Sequence, residues 1–166
     1  MSLGTFSRRG AIALASGVGI LFGTAVAANA QKVEFRGGVY LSEFSADCAD
    51  NGWPAGGYQY ANVRYRPPKQ GDNGPTTRLA FHFEFWSTSF VLQKGALGKK
   101  FKKVVAGATG SSTYQYPNNP RIKVTSMTPS KVTASTTEVA IAGEIQGFDE
   151  TPGCNVSFRA SMTRRP

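Results

Sequence analysis

The sequence predicts an all-β fold, either a single antiparallel β-sandwich or a small β-barrel of about eight strands. From residue 32 onward apolar and polar residues alternate along most of the chain, and a period of two is typical of half-buried strands. Turn-forming residues interrupt this alternation about every ten positions. No stretch of this region combines a helical period with capping residues over about a dozen positions. The pattern does not distinguish a sandwich from a barrel.

Three segments carry the clearest alternation. In 79–86, Phe81, Phe83 and Phe85 are predicted to face the core, while His82 and Glu84 face the other side. The segments 139–146 and 156–163 alternate in the same way. Weaker alternation predicts strands at 33–41, 58–65, 101–105, 121–127 and 131–135. A short turn or helix is compatible with 92–105.

The first thirty residues have the composition of an export signal. A Ser-Arg-Arg start precedes an uncharged stretch rich in Ala and Gly, and small residues flank Asn29 as in a signal peptidase site. The residues concerned are Ser7, Arg8, Arg9, Ala28 and Ala30. The segment resembles a twin-arginine leader, although Ala11 stands where a larger apolar residue is common. Sec export is the alternative route.

The consequence of such a leader is an exported protein, in the periplasm or secreted. An uncleaved membrane anchor is the competing interpretation, because the uncharged stretch nearly reaches a membrane-spanning length, but the small residues before Gln31 argue against it. We therefore expect residues 1–30 to be removed and residues 31–166 to form one β-domain without a membrane span. The oligomeric state is not predicted.

Positive charge is concentrated in one part of the chain. The sequence has 19 Lys and Arg against 10 Asp and Glu, a net charge of +9, and no carboxylate occurs between Glu84 and Glu138. Four lysines within this region form a cluster, namely Lys99, Lys100, Lys102 and Lys103. Such a cluster can bind an anionic component of the cell envelope or an acidic polysaccharide. It can equally be a solvated edge that prevents strands from aggregating. Nucleic acid is a poor partner outside the cytoplasm.

Cys48 and Cys154 are the only two cysteines. In an oxidising compartment they are predicted to form a disulfide, which for a loop of about a hundred residues stabilises a domain by about 4–5 kcal/mol. One His and two Cys are too few for a closed zinc site, and no metal or cofactor is expected. The disulfide would gather Asp47, Asp50, Asp149 and Glu150, for which calcium binding is an alternative to salt bridges or solvation.

Candidate catalytic residues are few. His82 is the only histidine, and the mature region lacks a G-x-S-x-G motif. Glu84 and Glu144 could act as paired carboxylates in a hydrolase only if their strands are neighbours. The simpler interpretation is that all three residues are ordinary polar residues of strands, so an enzyme is not favoured.

Several aromatic residues occur in turn-rich places, where they could present rings to a sugar or to a protein. They are Trp53, Tyr58, Tyr60, Tyr114 and Tyr116. Together with the charge, they favour a non-catalytic binding or structural protein of the envelope with an anionic or saccharide partner. The alternatives are a small hydrolase that uses Glu84, Glu144 or His82, and an inhibitor or assembly partner that binds another envelope protein through the loop 67–75 or 114–120.

Overall fold

A computed structural model describes residues 32–108 and 120–166. These residues form nine antiparallel strands in one sheet. In chain order the strands are β1 Phe35–Ser42, β2 Tyr58–Arg66, β3 Thr77–His82, β4 Ser87–Leu92, β5 Lys102–Lys103, β6 Val105–Ala108, β7 Arg121–Thr128, β8 Glu138–Gln146 and β9 Asn155–Arg164. Three short 3-10 helices lie at Ala46–Asn51, Gly71–Asn73 and Phe148–Glu150. The predicted all-β class is confirmed.

The sheet is a nearly closed barrel. Its strand order is β5-β7-β8-β9-β1-β2-β3-β4-β6, so β5 and β6 lie at opposite ends of the order. Only Val104 separates these two strands in the chain. Because Lys102 pairs with Ile122 of β7 while Val105 pairs with Val91 of β4, one short segment of chain is hydrogen-bonded to both edges. The sheet therefore curls round and joins its own ends, which leaves few unpaired edge groups.

Alternate side chains of every long strand point into the barrel and form the core. Phe81 of β3 lies 5.4 Å from the ring of Phe90 on β4 and 5.7 Å from the ring of Phe158 on β9. Strands β3 and β9 are not neighbours in the sheet, so the contact between Phe81 and Phe158 crosses the interior. All three rings are fully buried. The inside of the barrel is thus filled with side chains, as expected for a barrel of this size.

One end of the barrel is held by the disulfide and by a cluster of aromatic rings. Cys48 and Cys154 form the predicted disulfide, with Cα atoms 4.5 Å apart and both residues buried. This bond joins the first 3-10 helix to the start of β9. Beside it, Trp53 stacks on Phe44 at 5.2 Å and meets Phe148 edge-on at 5.5 Å. The strands at this end are therefore tied together covalently and by packing.

The structure corrects three details of the predicted strands. The segment 79–86 is not one strand, because β3 ends at His82, a turn follows, and β4 begins at Ser87. Phe85 consequently lies at the tip of a hairpin and is 90% exposed rather than buried in the core. Residues 131–135 form a turn rather than a strand, and the short helix considered for 92–105 is replaced by turns and by β5 and β6. These boundaries depend on which strands pair with each other, which alternation alone does not encode.

Candidate binding site

The outer surface of the barrel carries a groove across β9, β1, β2 and β3. It is an open depression of about 760 Å³. Its floor is a row of residues that the strand register places side by side: Ser161 pairs with Gly38, Gly38 with Asn62, and Asn62 with His82. None of these side chains is large, and Gly38 has none. We call this cavity the outer groove.

The two adjacent glycines of β1 have opposite surroundings. A Cβ atom added to Gly37 would lie 1.9 Å from the carbonyl oxygen of Ser161, whereas a Cβ atom added to Gly38 would meet nothing within 4 Å. Gly37 therefore allows β1 and β9 to approach each other. Gly38 keeps the floor of the outer groove low.

The next row of outward residues forms one wall of the outer groove. Arg159 pairs with Tyr40, and Tyr40 pairs with Tyr60. The rings of the two tyrosines are 5.0 Å apart, and Tyr60 is 67% exposed. Exposed tyrosines offer a flat apolar face and a polar hydroxyl, a combination suited to stacking against a sugar ring. Arg159 adds a rigid, permanently charged group that can bind carboxylate or sulfate with two hydrogen bonds.

The row on the other side of the floor is basic. Arg36 pairs with Arg64 across β1 and β2. Together with Arg66 they surround the nearly buried Glu34, whose carboxylate oxygens lie 2.5 Å from Arg36 Nε, 3.2 Å from Arg64 Nε and 2.6 Å from an Arg66 terminal nitrogen. Partial burial raises the pKa of Glu34, but hydrogen bonds from Arg36 and Arg66 and the charge of Arg64 outweigh it and lower that pKa overall. Three cations around one anion leave this side of the groove positive.

His82 is the last residue of the row that forms the floor. Its Nε2 atom is buried and has no hydrogen-bond partner among the described residues. Desolvation lowers the pKa of His82, the charges of Arg64 and Arg36 lower it further, and Glu34 partly offsets them. His82 is therefore neutral at pH 7, and protein atoms cover its Nε2 atom.

The three candidate catalytic residues are divided between two depressions. His82 and Glu84 both line the outer groove. Glu144 lies in a neighbouring depression formed by β1, β7, β8 and β9, where its carboxylate is 2.8 Å from the amine of Lys123. The structure therefore brings two of the three together and pairs the third with a lysine.

The lysine cluster lies far round the barrel from the outer groove, at the closing segment β5. Lys99 and Lys100 are exposed in a turn before this strand. Lys102 donates a hydrogen bond from its amine to the carbonyl oxygen of Ala96 at 2.6 Å. Phe101 lies between Lys100 and Lys102 in the chain, and the amine of Lys123 is 4.7 Å from the centre of its ring. Part of the cluster is thus used in contacts within the protein.

Of the predicted loop aromatics, Trp53 is described and Tyr114 and Tyr116 lie outside the described residues. Trp53 is half-buried within the aromatic cluster, and its indole nitrogen donates a hydrogen bond to the carboxylate of Asp149 at 2.9 Å. Tyr58 and Tyr60 instead stand on the outer face of β2, each 67% exposed.

The disulfide does bring the two acidic loops together. Asn51 donates hydrogen bonds to the carbonyl oxygen of Asp149 and to the hydroxyl of Thr151, at 2.8 and 2.5 Å. Burial and the nearby charge of Asp149 raise the pKa of Glu150. Within 32–108 and 120–166, no group of three or more His, Cys, Asp or Glu side chains is arranged to hold a metal ion. These polar groups link the two loops to each other.

Several residues of the outer groove were not singled out from the sequence, namely Gly38, Tyr40, Asn62, Arg159 and Ser161. The only sign of them in the sequence was that each lies at an outward-facing position of an alternating strand. Many other residues lie at such positions as well. Only the pairing of three strands, β9, β1 and β2, shows that these five share one surface.

Comparison with protein-family models, with curated protein sequences and with solved structures finds no match to this chain. None of the helices in the described residues has the length and hydrophobicity that crossing a membrane requires.

Proposed function

We propose that the protein is an exported, non-catalytic binding domain whose outer groove holds an acidic saccharide. The observation that carries this proposal is the convergence of Tyr40, Tyr60 and Arg159 on the wall of a groove whose floor offers Asn62 and Ser161. Aromatic faces suit sugar rings, amide and hydroxyl groups suit sugar hydroxyls, and guanidinium groups suit carboxylates or sulfates. Export is supported by the buried disulfide, which persists in oxidising compartments.

The positive charge beside the groove supports an acidic rather than a neutral sugar as the proposed ligand. Arg36 and Arg64 are adjacent to the floor, and one carboxylate, Glu34, is shared among three guanidinium groups. Glu84 is the carboxylate that lines the outer groove itself. An acidic ligand is thus drawn toward the side of the floor that faces Arg36 and Arg64.

Filling the floor of the groove tests the proposal. In Gly38→Leu the new side chain projects into open space, so the protein should fold while its groove is blocked. Titration calorimetry with a uronate disaccharide and its neutral counterpart should show binding of the acidic sugar to wild type, and at least tenfold weaker binding to Gly38→Leu. Gly38→Ala is the control and should bind nearly as well as wild type. Equal affinity of wild type and Gly38→Leu would place the ligand elsewhere or refute the proposal.

A matched pair of tyrosines sharpens this test. Tyr58 and Tyr60 are equally exposed and both on β2, but only Tyr60 lines the outer groove. Tyr60→Ser should weaken binding of the uronate disaccharide about tenfold, since stacking on an aromatic ring contributes about 1 kcal/mol or more. Tyr58→Ser should change the affinity less than threefold.

A hydrolase is the second candidate, favoured by the presence of His82 and Glu84 in the same groove. A neutral histidine can act as a general base for water. This candidate predicts release of reducing ends from an acidic oligosaccharide by wild type and loss of that activity in both His82→Gln and Glu84→Gln. Binding without any release of reducing ends would favour the non-catalytic proposal.

A further inference from the structure

The row of small residues on the floor of the outer groove continues past the groove on both sides. Ser161 pairs with Ala140 of β8, and Ala140 pairs with Thr128 of β7. In the other direction His82 pairs with Ser87 of β4. The row therefore crosses seven strands, from β7 to β4, and every residue added to it has a small or medium side chain.

The extended row is long, and its middle part is the floor of the outer groove. Neighbouring strands are about 4.8 Å apart, so six spacings give a path of roughly 29 Å along the curved surface. At the β7 end a third depression of about 370 Å³, separate from the one that contains Glu144, is lined by Thr128, Ala140 and Arg159. Arg159 also lines the outer groove. Arg159 thus lines both depressions, so the two adjoin each other on the surface.

The direction of this path selects the kind of polymer. It runs across the strands, and the backbone groups of β8, β9, β1, β2 and β3 are hydrogen-bonded to strands on both sides. An extended peptide usually binds a sheet by pairing with the free backbone of an edge strand, and the path offers no such edge. Recognition must come from side chains, and those along the path and beside it are tyrosines, arginines, an amide, hydroxyls, His82 and one carboxylate, Glu84. That set suits a chain of sugars.

We infer that the ligand is a linear acidic polysaccharide that lies across the strands along this row, rather than a single sugar or a chain end. The inference rests on the proposed function and specifies its ligand. The middle of the polymer occupies the outer groove between Tyr60 and Arg36. Further sugar units pass Arg159 and reach Ala140 on β8.

A length series of one oligouronate tests the inference. Affinity measured by titration calorimetry should rise at least tenfold from the disaccharide to the hexasaccharide and then reach a plateau, because additional units extend past the row. Ala140→Phe should obstruct only the β8 end, since Ala140 is exposed and outward-facing. It should therefore weaken binding of the hexasaccharide at least fivefold and leave that of the disaccharide unchanged. Ala55→Phe, an equal change at an exposed turn, should affect neither.

Each contrary outcome has a distinct meaning. Equal affinity for all lengths, or an equal effect of Ala140→Phe on short and long ligands, would overturn the polymer inference and leave the proposed function standing. No binding of any uronate would overturn both. Tighter binding of polyglutamate than of an oligouronate of equal charge would overturn the saccharide assignment in favour of an acidic peptide.

Discussion

The outer groove and the lysine cluster are both basic, but they are built in opposite ways. The four lysines are close in sequence, and their segment is engaged in barrel closure and in local contacts such as that of Lys102 with Ala96. Arg36, Arg64 and Arg159 come from three different strands and lie on one surface, where Arg159 lines the groove and Arg36 and Arg64 form the row beside its floor. The proposed site therefore depends on charges that the sheet brings together beside a cavity rather than on a run of charge along the chain.

The largest expected effect is on stability, and it concerns β1, the strand that contributes Gly38 to the floor of the outer groove. Gly37→Ala should lower the free energy of unfolding by roughly 3 kcal/mol or more, because the added methyl group collides with the backbone of β9. Gly38→Ala should leave stability unchanged or raise it by about 0.5 kcal/mol, since alanine has less backbone freedom to lose. Urea unfolding measures both. Similar losses in the two variants would mean that β1 and β9 are not in the described register.

The second prediction compares two carboxylates in ion pairs, Glu34 in the row beside the outer groove and Glu144 in the neighbouring depression. Glu34→Gln should destabilise the protein by about 1–3 kcal/mol, because it leaves three guanidinium groups around a nearly buried neutral side chain. Glu144→Gln, which removes the partner of Lys123 at a more exposed position, should cost less than about 1 kcal/mol. Chemical unfolding at pH 7 measures the loss of stability in both variants. Equal losses would show that the arginine cluster is no more stabilising than a surface ion pair.

The third prediction compares cations directly. Arg159→Gln should weaken binding of an oligouronate about tenfold, since a hydrogen bond to a charged group contributes about 1.5–3 kcal/mol, and it should reduce the dependence of affinity on salt. The double variant Lys99→Gln, Lys100→Gln removes more charge but should change the affinity less than threefold. The opposite ranking would move the anion site to the lysine cluster.

The smallest effect is a dependence on pH through His82. The pKa of His82 is below the ordinary 6.5 in the folded protein, so the unfolded chain takes up a proton first as pH falls. Stability of the free protein should therefore decline below pH 6.5, until the folded-state pKa is passed. The same protonation adds a cation beside Arg64, Arg36, Glu34 and Glu84, so an acidic ligand should bind a few-fold more tightly there.

His82→Gln is the matched variant for this pH dependence. It should flatten the change in oligouronate affinity between pH 7 and pH 5, measured by calorimetry. Glu34 also loses stabilisation in acid, because its folded pKa is lowered, so the stability profile of His82→Gln should retain a decline at lower pH. If the affinity of His82→Gln changed with pH as that of wild type does, protonation of His82 would have no effect on ligand binding.

Parts of the structure were predictable for identifiable reasons. The alternation in 139–146 and 156–163 correctly predicted β8 and β9, and the disulfide was predicted from two cysteines in a chain expected to be exported. The run of aromatics in 81–86 was misleading, because Phe83 and Trp86 stack on each other at 4.2 Å across a hairpin turn. Alternation alone predicted that this strand would continue. His82 and Tyr60 were noticed as single residues, with no indication that they share a groove.

The sequence by itself determined the all-β class, the inward and outward faces of the longest strands and the pairing of Cys48 with Cys154, because period-two alternation and residue chemistry are local properties. Tertiary structure alone decided that the sheet closes on itself through residues 102–108 and that Ser161, Gly38, Asn62 and His82 form one row. The physical reason is register. A shift of one residue in any of these strands would exchange its buried and exposed side chains, so burial of the core selects a single alignment, and that alignment creates the groove.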